Sequence, residues 1–170
     1  MRCFIGVHVA GRLSQDCRML AMGLPAATPR PNLHMTLAFL GERPQGFIDK
    51  LCPALSVTAA QTSPFTLTFD RCEPFPAAQG PFLALTTDAP PQLLVLHQRI
   101  WDTLVNFGVI RESRALRPHI TLAKPGQSMS IKEGQWPLPV NEICLYASEP
   151  GQQGGAPSYR PLSRFALADG

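Results

Sequence analysis

Apolar positions alternate with polar ones over Leu33-His34-Met35-Thr36-Leu37 and again over Pro118-His119-Ile120-Thr121-Leu122. Side chains two apart share a face of an extended strand, so each segment predicts a strand with an apolar back and a His/Thr front. The likeness runs further. Asn32-Leu33-His34-Met35-Thr36-Leu37-Ala38-Phe39-Leu40-Gly41 and Arg117-Pro118-His119-Ile120-Thr121-Leu122-Ala123-Lys124-Pro125-Gly126 share His, Thr, Leu, Ala and Gly in one ungapped frame, at an offset of 85 (119 − 34, 121 − 36, 126 − 41). Two such strands side by side would gather two imidazoles and two hydroxyls in one cleft.

The pattern elsewhere supplies the elements around them. Cys3–Val9 reads as a β-rich run, and Cys17, Met19, Leu20 and Leu24 have the spacing of a helix over about 13–22. Gly41-Glu42-Arg43-Pro44 predicts a turn. Phe47, Ile48, Leu51 and Leu55 follow on a helix face that Pro53 should kink. Phe65-Thr66-Leu67-Thr68-Phe69 alternates as a strand, the Pro- and Gly-rich Cys72–Gly80 as a loop, and Phe82–Thr86 as a strand again. Pro90-Pro91 opens a helix whose apolar face is Leu93, Leu94, Leu96, Ile100, Trp101, Leu104 and Phe107, closed by Gly108. After the basic connector 110–117 and the second His/Thr strand, 128–139 predicts loop, Val140–Ala147 strand, 149–158 a mobile loop and Tyr159–Ala168 a last strand. Strands and helices thus surround each motif. The expectation is an α+β fold, a single domain over 1–170. Its two lobes would be related by a pseudo-twofold, with antiparallel or mixed sheets and flanking helices around a central cleft. One His-x-Thr strand would come from each lobe, over 33–40 and 118–124.

Composition narrows the class. At 170 residues with 45% hydrophobic and 16% charged residues, the chain suits one folded unit and not a disordered one. No apolar run is long enough to span a bilayer, and the N-terminus enters a strand pattern where a signal peptide would place its apolar core. A cytoplasmic protein is expected, without membrane association and monomeric by default. The five scattered cysteines form no CxxC pair, so reduced core thiols are expected. A net charge of +3 permits an anionic substrate, with basic recognition confined to local clusters.

Two facing imidazoles provide an acid and a base near neutral pH, since a free histidine titrates at about 6.5. One ring takes a proton from a nucleophile while the other gives one to the leaving group; the hydroxyls of Thr36 and Thr121 donate to anionic oxygens between them. A phosphodiester fits such a pocket, with a histidine at each end of an in-line displacement. No Asp/Glu cluster near either motif suggests a metal, and no phosphate-binding Gly-rich loop suggests a nucleotide cofactor. The residues alone make the two histidines interchangeable.

The two motifs resemble those of the two-histidine (2H) phosphoesterase superfamily. The context is similar to its bacterial RNA 2′,3′-cyclic phosphodiesterase branch, also called the 2′–5′ RNA ligase family. Phe4-Ile5-Gly6-Val7, both motif segments, Leu145-Tyr146-Ala147-Ser148 and Tyr159-Arg160-Pro161-Leu162 carry the resemblance, in the family's order and nearly end to end. It implies a bilobal fold and a hydrolase, which the lack of a carboxylate cluster beside the motifs makes metal-independent and free of a cofactor by expectation. The enzyme would open a terminal 2′,3′-cyclic phosphate to a 2′-phosphomonoester. By the same resemblance His34 is the proton donor and His119 the proton acceptor, with Thr36 and Thr121 on phosphate oxygens. The implied partners are RNA 3′ ends with a cyclic phosphate, among them transfer-RNA fragments, or cyclic nucleotides. Reversible 2′–5′ ligation by the same pocket, and an RNA-end binding module with incidental hydrolysis, stand as alternatives.

Around the motifs, Lys124, Arg117, Phe39 and Tyr146 are the candidates for holding substrate. Arg30, Arg43, Arg111 and Arg114 read as solvated charge as readily as phosphate contacts. Phe39, Tyr146 and Tyr159 could stack a base, though each also suits a core. Lys124, three residues past Thr121, should point away from the His face unless the strand ends there. His97 lies within the amphipathic helix and reads as structural or exposed; His8 has no assigned role.

Overall fold

The computed structural model describes residues 1–126 and 129–169. Eight strands and three helices follow one another as β1 (Arg2–His8), α1 (Gly11–Leu20), β2 (His34–Glu42), α2 (Gln45–Ala60), β3 (Phe65–Ala77), β4 (Gly80–Thr86), α3 (Pro91–Asn106), β5 (His119–Ala123), β6 (Lys132–Val140), β7 (Glu142–Glu149) and β8 (Ser158–Ala166). The strands form two four-stranded sheets, ordered β2-β1-β7-β8 and β5-β4-β3-β6, with every named pairing antiparallel. Each His-x-Thr strand is thus an edge strand of its own sheet. The two edges touch.

The backs of both sheets and the inner faces of the helices share one apolar core. Into it go Met35, Leu37, Ile120 and Leu122 from the motif strands and Leu96, Ile100, Trp101 and Leu104 from α3. The helices tie the sheets together by crossing over. Helix α1, which joins two strands of the first sheet, packs on β5 and β6 of the second; α3, which joins two strands of the second, packs on β2. A further clamp is the segment before β2: Thr28 N donates to Leu122 O (2.8 Å), Lys124 N to Ala26 O (3.1 Å) and Thr28 Oγ1 to Thr121 O (2.9 Å). Among the described residues no helix is long and apolar enough to cross a membrane.

Several local expectations change. The Cys72–Gly80 loop is strand to Ala77, hairpinned onto β4. The 128–139 loop contains β6 over Lys132–Val140, while Ser128 lies outside the described residues. Gly41 and Glu42 extend β2 instead of turning. Helix α2 runs unbroken through Pro53, which sits on its solvent side, where the carbonyl left without a partner can meet water. Leu94 on α3 is 49% exposed and Met19 on α1 is 69% exposed, so neither belongs to its helix's buried face. The 149–158 connection carries a short 3-10 turn, Gln152–Gly154.

Candidate active site

In both motif strands the histidine is held in the same way. His34 Nδ1 donates to Asn32 O at 2.6 Å and His119 Nδ1 to Arg117 O at 2.8 Å, each carbonyl lying two residues upstream. A carbonyl only accepts, so both neutral rings carry the proton on Nδ1 and present a bare Nε2. On His34, Nε2 meets Thr36 Oγ1 at 3.0 Å. On His119, Nε2 has no hydrogen-bond partner among the described residues.

The strand beside each motif is cut to fit it. On β1, His8 pairs with His34, Gly6 with Thr36 and Phe4 with Phe39. On β4, Thr86 pairs with His119 and Ala84 with Thr121, and Phe82 lies under the Lys124 ammonium at 5.9 Å. Cross-strand partners share a face. Each threonine therefore faces a residue with little or no side chain, and the front stays open there. Gly6 is the tighter case: a Cβ at that position would lie 2.7 Å from Met35 O and 3.6 Å from Cδ2 of the His34 ring.

Each motif strand also carries a bulge at the same place. Leu37 falls between the pairs Ile5–Ala38 and Gly6–Thr36, and Leu122 between Leu83–Ala123 and Ala84–Thr121. The extra residue flips the alternation after it. Phe39 and Lys124, which simple parity assigns to the back, therefore arrive on the His/Thr front; the two positions correspond at the same offset (124 − 39 = 85). Lys124 lies just past the end of β5, the case in which it escapes the strand's parity. The shared terminal glycines have a reason too, since Gly41 (φ 75°) and Gly126 (φ 67°) both adopt the left-handed conformation.

The surroundings of the two rings differ. His34 is enclosed by Phe4 (centroids 4.9 Å), Tyr159 (5.1 Å, edge-on) and Tyr146 (6.1 Å). His119 stacks on Phe75 at 4.1 Å, a ring that also carries the Arg117 guanidinium 4.6 Å from its centroid. Burial pushes both imidazoles below the usual 6.5, against the backbone bond each donates. For His34 the charges of His119 and His8 add to the lowering; for His119 that of Arg117 does.

The other candidates are placed as follows. Phe39 is 59% exposed on the front, whereas Tyr146 is 2% exposed and stacked on Phe4. Arg117 is exposed at the rim beside His119, with Nη1 donating to Pro76 O at 3.0 Å. Sequence reasoning overlooked Phe75, Phe82, Gly6, Ala84 and Thr86 as parts of the site. No sequence repeat marks them, since Phe4-x-Gly6-x-His8 and Phe82-x-Ala84-x-Thr86 share only the phenylalanine; their correspondence comes from the pairing of β1 with β2 and of β4 with β5. A cavity of about 590 Å³ at the C-terminal end of α1 contains none of the four His/Thr side chains.

Compared with known proteins, residues 7–149 match the 2′-5′ RNA ligase superfamily. The chain is 32% identical to an Escherichia coli K12 protein named RNA 2′,3′-cyclic phosphodiesterase, over 98% of this chain and 96% of that one. A Geobacillus stearothermophilus protein of the same name is 27% identical over 79% of this chain, and the match spans 45% of that protein's length. The crystal structure of E. coli LigT complexed with 3′-AMP superposes with a TM-score of 0.80 at 26% identity, covering 98% of this chain and 97% of that one.

Proposed function

Because this chain belongs to the 2′-5′ RNA ligase superfamily, we propose that it is an RNA 2′,3′-cyclic phosphodiesterase working through His34 and His119 without a metal ion. The observation that carries the reading is the matched locking of the two imidazoles. Each fixes Nδ1 on a backbone carbonyl and keeps Nε2 for the cleft, on edge strands that touch.

The division of roles between the two similarly held rings is the one the family resemblance implies. His119 Nε2 accepts a proton from water, whose oxygen attacks phosphorus. The P–O3′ bond breaks, and His34 Nε2 returns a proton to O3′, leaving a 2′-phosphomonoester and a 3′-hydroxyl. Thr36 gives up its bond to His34 on substrate entry, and both threonine hydroxyls then donate to the phosphate oxygens, with Gly6 and Ala84 leaving space for them. An anionic phosphate beside His34 favours the charged ring its step needs, offsetting the effect of burial, while His119 enters the step neutral. Phe39 offers a face for the terminal base, with Lys124 and Arg117 at the opposite edge for backbone phosphate. Buried Tyr146 supports the wall behind His34. The substrates are RNA 3′ ends with a cyclic phosphate, transfer-RNA fragments among them, or small cyclic nucleotides, met by a cytoplasmic monomer. Its two sheets form halves related by a pseudo-twofold.

The test is product analysis on a defined oligoribonucleotide ending in a 2′,3′-cyclic phosphate. A 2′-phosphate end, formed equally well in EDTA and lost in His34→Ala and His119→Ala, is the expected result. A 3′-phosphate product, dependence on added divalent ion, or full turnover in either variant would sink the proposal.

A further inference from the structure

His8 is the one histidine on the front of the first sheet for which the reaction above has no use. It sits directly across from His34 in the β1–β2 ladder, at the open end of the pair. On its other side, Gly6 pairs with Cys144 of β7, which brings Glu142, two residues before Cys144, level with His8. Glu142 in turn meets Arg164 of β8, whose Nη1 lies 3.4 Å from Oε1. His34, His8 and Glu142 therefore lie in one row across three strands, and Arg164 reaches Glu142 diagonally from the next row, where it is paired with Cys144.

We propose that His8 is a positioning residue, one that never touches substrate but sets through its own charge how readily His34 carries a proton. Neighbours across a ladder approach to about 5 Å between Cα atoms, so the two imidazoles are too close to be charged independently. Burial and then the Arg164 guanidinium lower the proton affinity of His8, while the Glu142 carboxylate and a backbone bond at Leu33 work against them. The groups facing His8 are His34 from β2, Glu142 and the Cys144 thiol from β7, and Arg164 from β8. Those facing His34 are His8 from β1, the Tyr146 and Tyr159 rings from β7 and β8, and His119 from β5. Within these two sets His8 is the group at which a substitution changes the charge beside His34 while leaving the aromatic enclosure and His119 in place. The second half of the site has no such device, since Thr86 occupies the matching place beside His119 and donates to Glu73 Oε1 at 2.7 Å.

The titration of the His34 ring, followed by NMR on the full-length protein, tests this directly and requires no activity. Replacing a charge-bearing neighbour at this distance by a neutral one in His8→Gln should raise the His34 midpoint by about half a pH unit or more. His8→Asp should raise it further, in the order of charge. The limb of the kcat/KM profile that tracks His34 should move with it, which rests on the phosphodiesterase reading; the NMR arm does not. A merely structural role for His8 would not order the midpoints by charge. An unmoved or lowered midpoint in His8→Gln overturns the proposal. Should His8→Asp fail to fold, the Gln variant alone decides.

Discussion

The β1–β2 half and the β4–β5 half place the same parts in the same order and then diverge at chosen points. Shared are the Nδ1 bond to a carbonyl two residues back, the threonine on the same face, the small residue opposite it, the bulged leucine and the left-handed glycine. The halves differ at the residue opposite the histidine (His8 against Thr86), at the front position after the bulge (Phe39 against Lys124), and in the rings around the imidazole. What is common to both halves is what the proposed acid and base would each need: one tautomer, an Nε2 turned to the threonine face, a hydroxyl and a small residue opposite it. What differs would tell a base from a phosphate and one proton affinity from the other. The halves are alike around the histidine and threonine and unlike at the positions beside them.

That division is broken first at the histidines. His34→Asn and His119→Asn should each reduce kcat by about 10²–10⁴-fold, the usual contribution of a general acid or base. The double variant should be little worse than either single one if the two act as one unit, as the proposed mechanism requires. Single-turnover rates on a cyclic-phosphate oligonucleotide provide the measurement. Additive losses would show that the two rings do not share a step.

The next largest effect is expected where the two cradles look alike but differ in clearance. A Cβ at Gly6 meets the Met35 carbonyl oxygen at 2.7 Å, and backbone cannot swing aside as a side-chain tip can. Gly6→Ala should therefore displace β2 and the His34 ring with it, lowering kcat/KM by up to about 10²-fold and stability by roughly 1–3 kcal/mol. Ala84→Gly, at the corresponding place beside Thr121, should leave kcat/KM within about threefold, since it removes only a methyl group from a packed strand and closes no space. Kinetics and thermal melts on both variants measure the contrast; equal effects would mean that clearance at Gly6 is not what sets the position of His34.

Much of this site is written in the chain at the level of alternation, and the part that is not has identifiable causes. His34, Thr36, His119 and Thr121 stand out because strand periodicity and an ungapped repeat select the same residues. Phe39 and Lys124 do not, because a bulge depends on pairing with β1 and β4, which a single strand's pattern does not contain. Strand β6 was hidden by Pro137 and Pro139, which normally argue against a strand. It is tolerated because β6 lies at the sheet edge, opposite Thr66 and Thr68, where a missing N–H leaves no second neighbour unpaired. Pro74 and Pro76 hid the second half of β3 in the same way, beyond Cys72, where its pairing with β6 stops. The crossing of α1 and α3 to opposite sheets has no local signal, since an amphipathic face does not say which apolar surface it will meet.

The pair Phe39 and Lys124 should separate by kind of effect more than by size. Phe39→Ala should raise KM for an oligonucleotide roughly tenfold, in line with about 1–3 kcal/mol for a stacked base, and nearly equally at low and high salt. Lys124→Ala should raise KM only a few-fold, an effect that fades as salt screens the phosphate. Steady-state kinetics at two ionic strengths distinguish them, and a salt-independent Lys124 effect would place that side chain on the base instead.

The smallest expected difference concerns stability and separates the two imidazoles most finely. Both have folded pKa values below the unfolded value of about 6.5, with burial the leading cause. Between the folded and unfolded values the unfolded chain binds more protons, so each ring contributes stability at pH above about 6.5 that is lost as pH falls through its folded pKa. His34 is enclosed by three aromatic rings and disfavoured by the charges of His8 and His119, whereas His119 has one stacking ring and Arg117. Replacing His34 by Gln should therefore flatten the fall in Tm between pH 7 and pH 5 more than replacing His119 does, with both variants converging toward the parent's pH-independence above pH 7.5. Thermal melts across that range read it out. If His119→Gln flattens the curve more, the aromatic enclosure of His34 is not what holds its ring neutral, and the asymmetry between the halves must be sought in Arg117 instead.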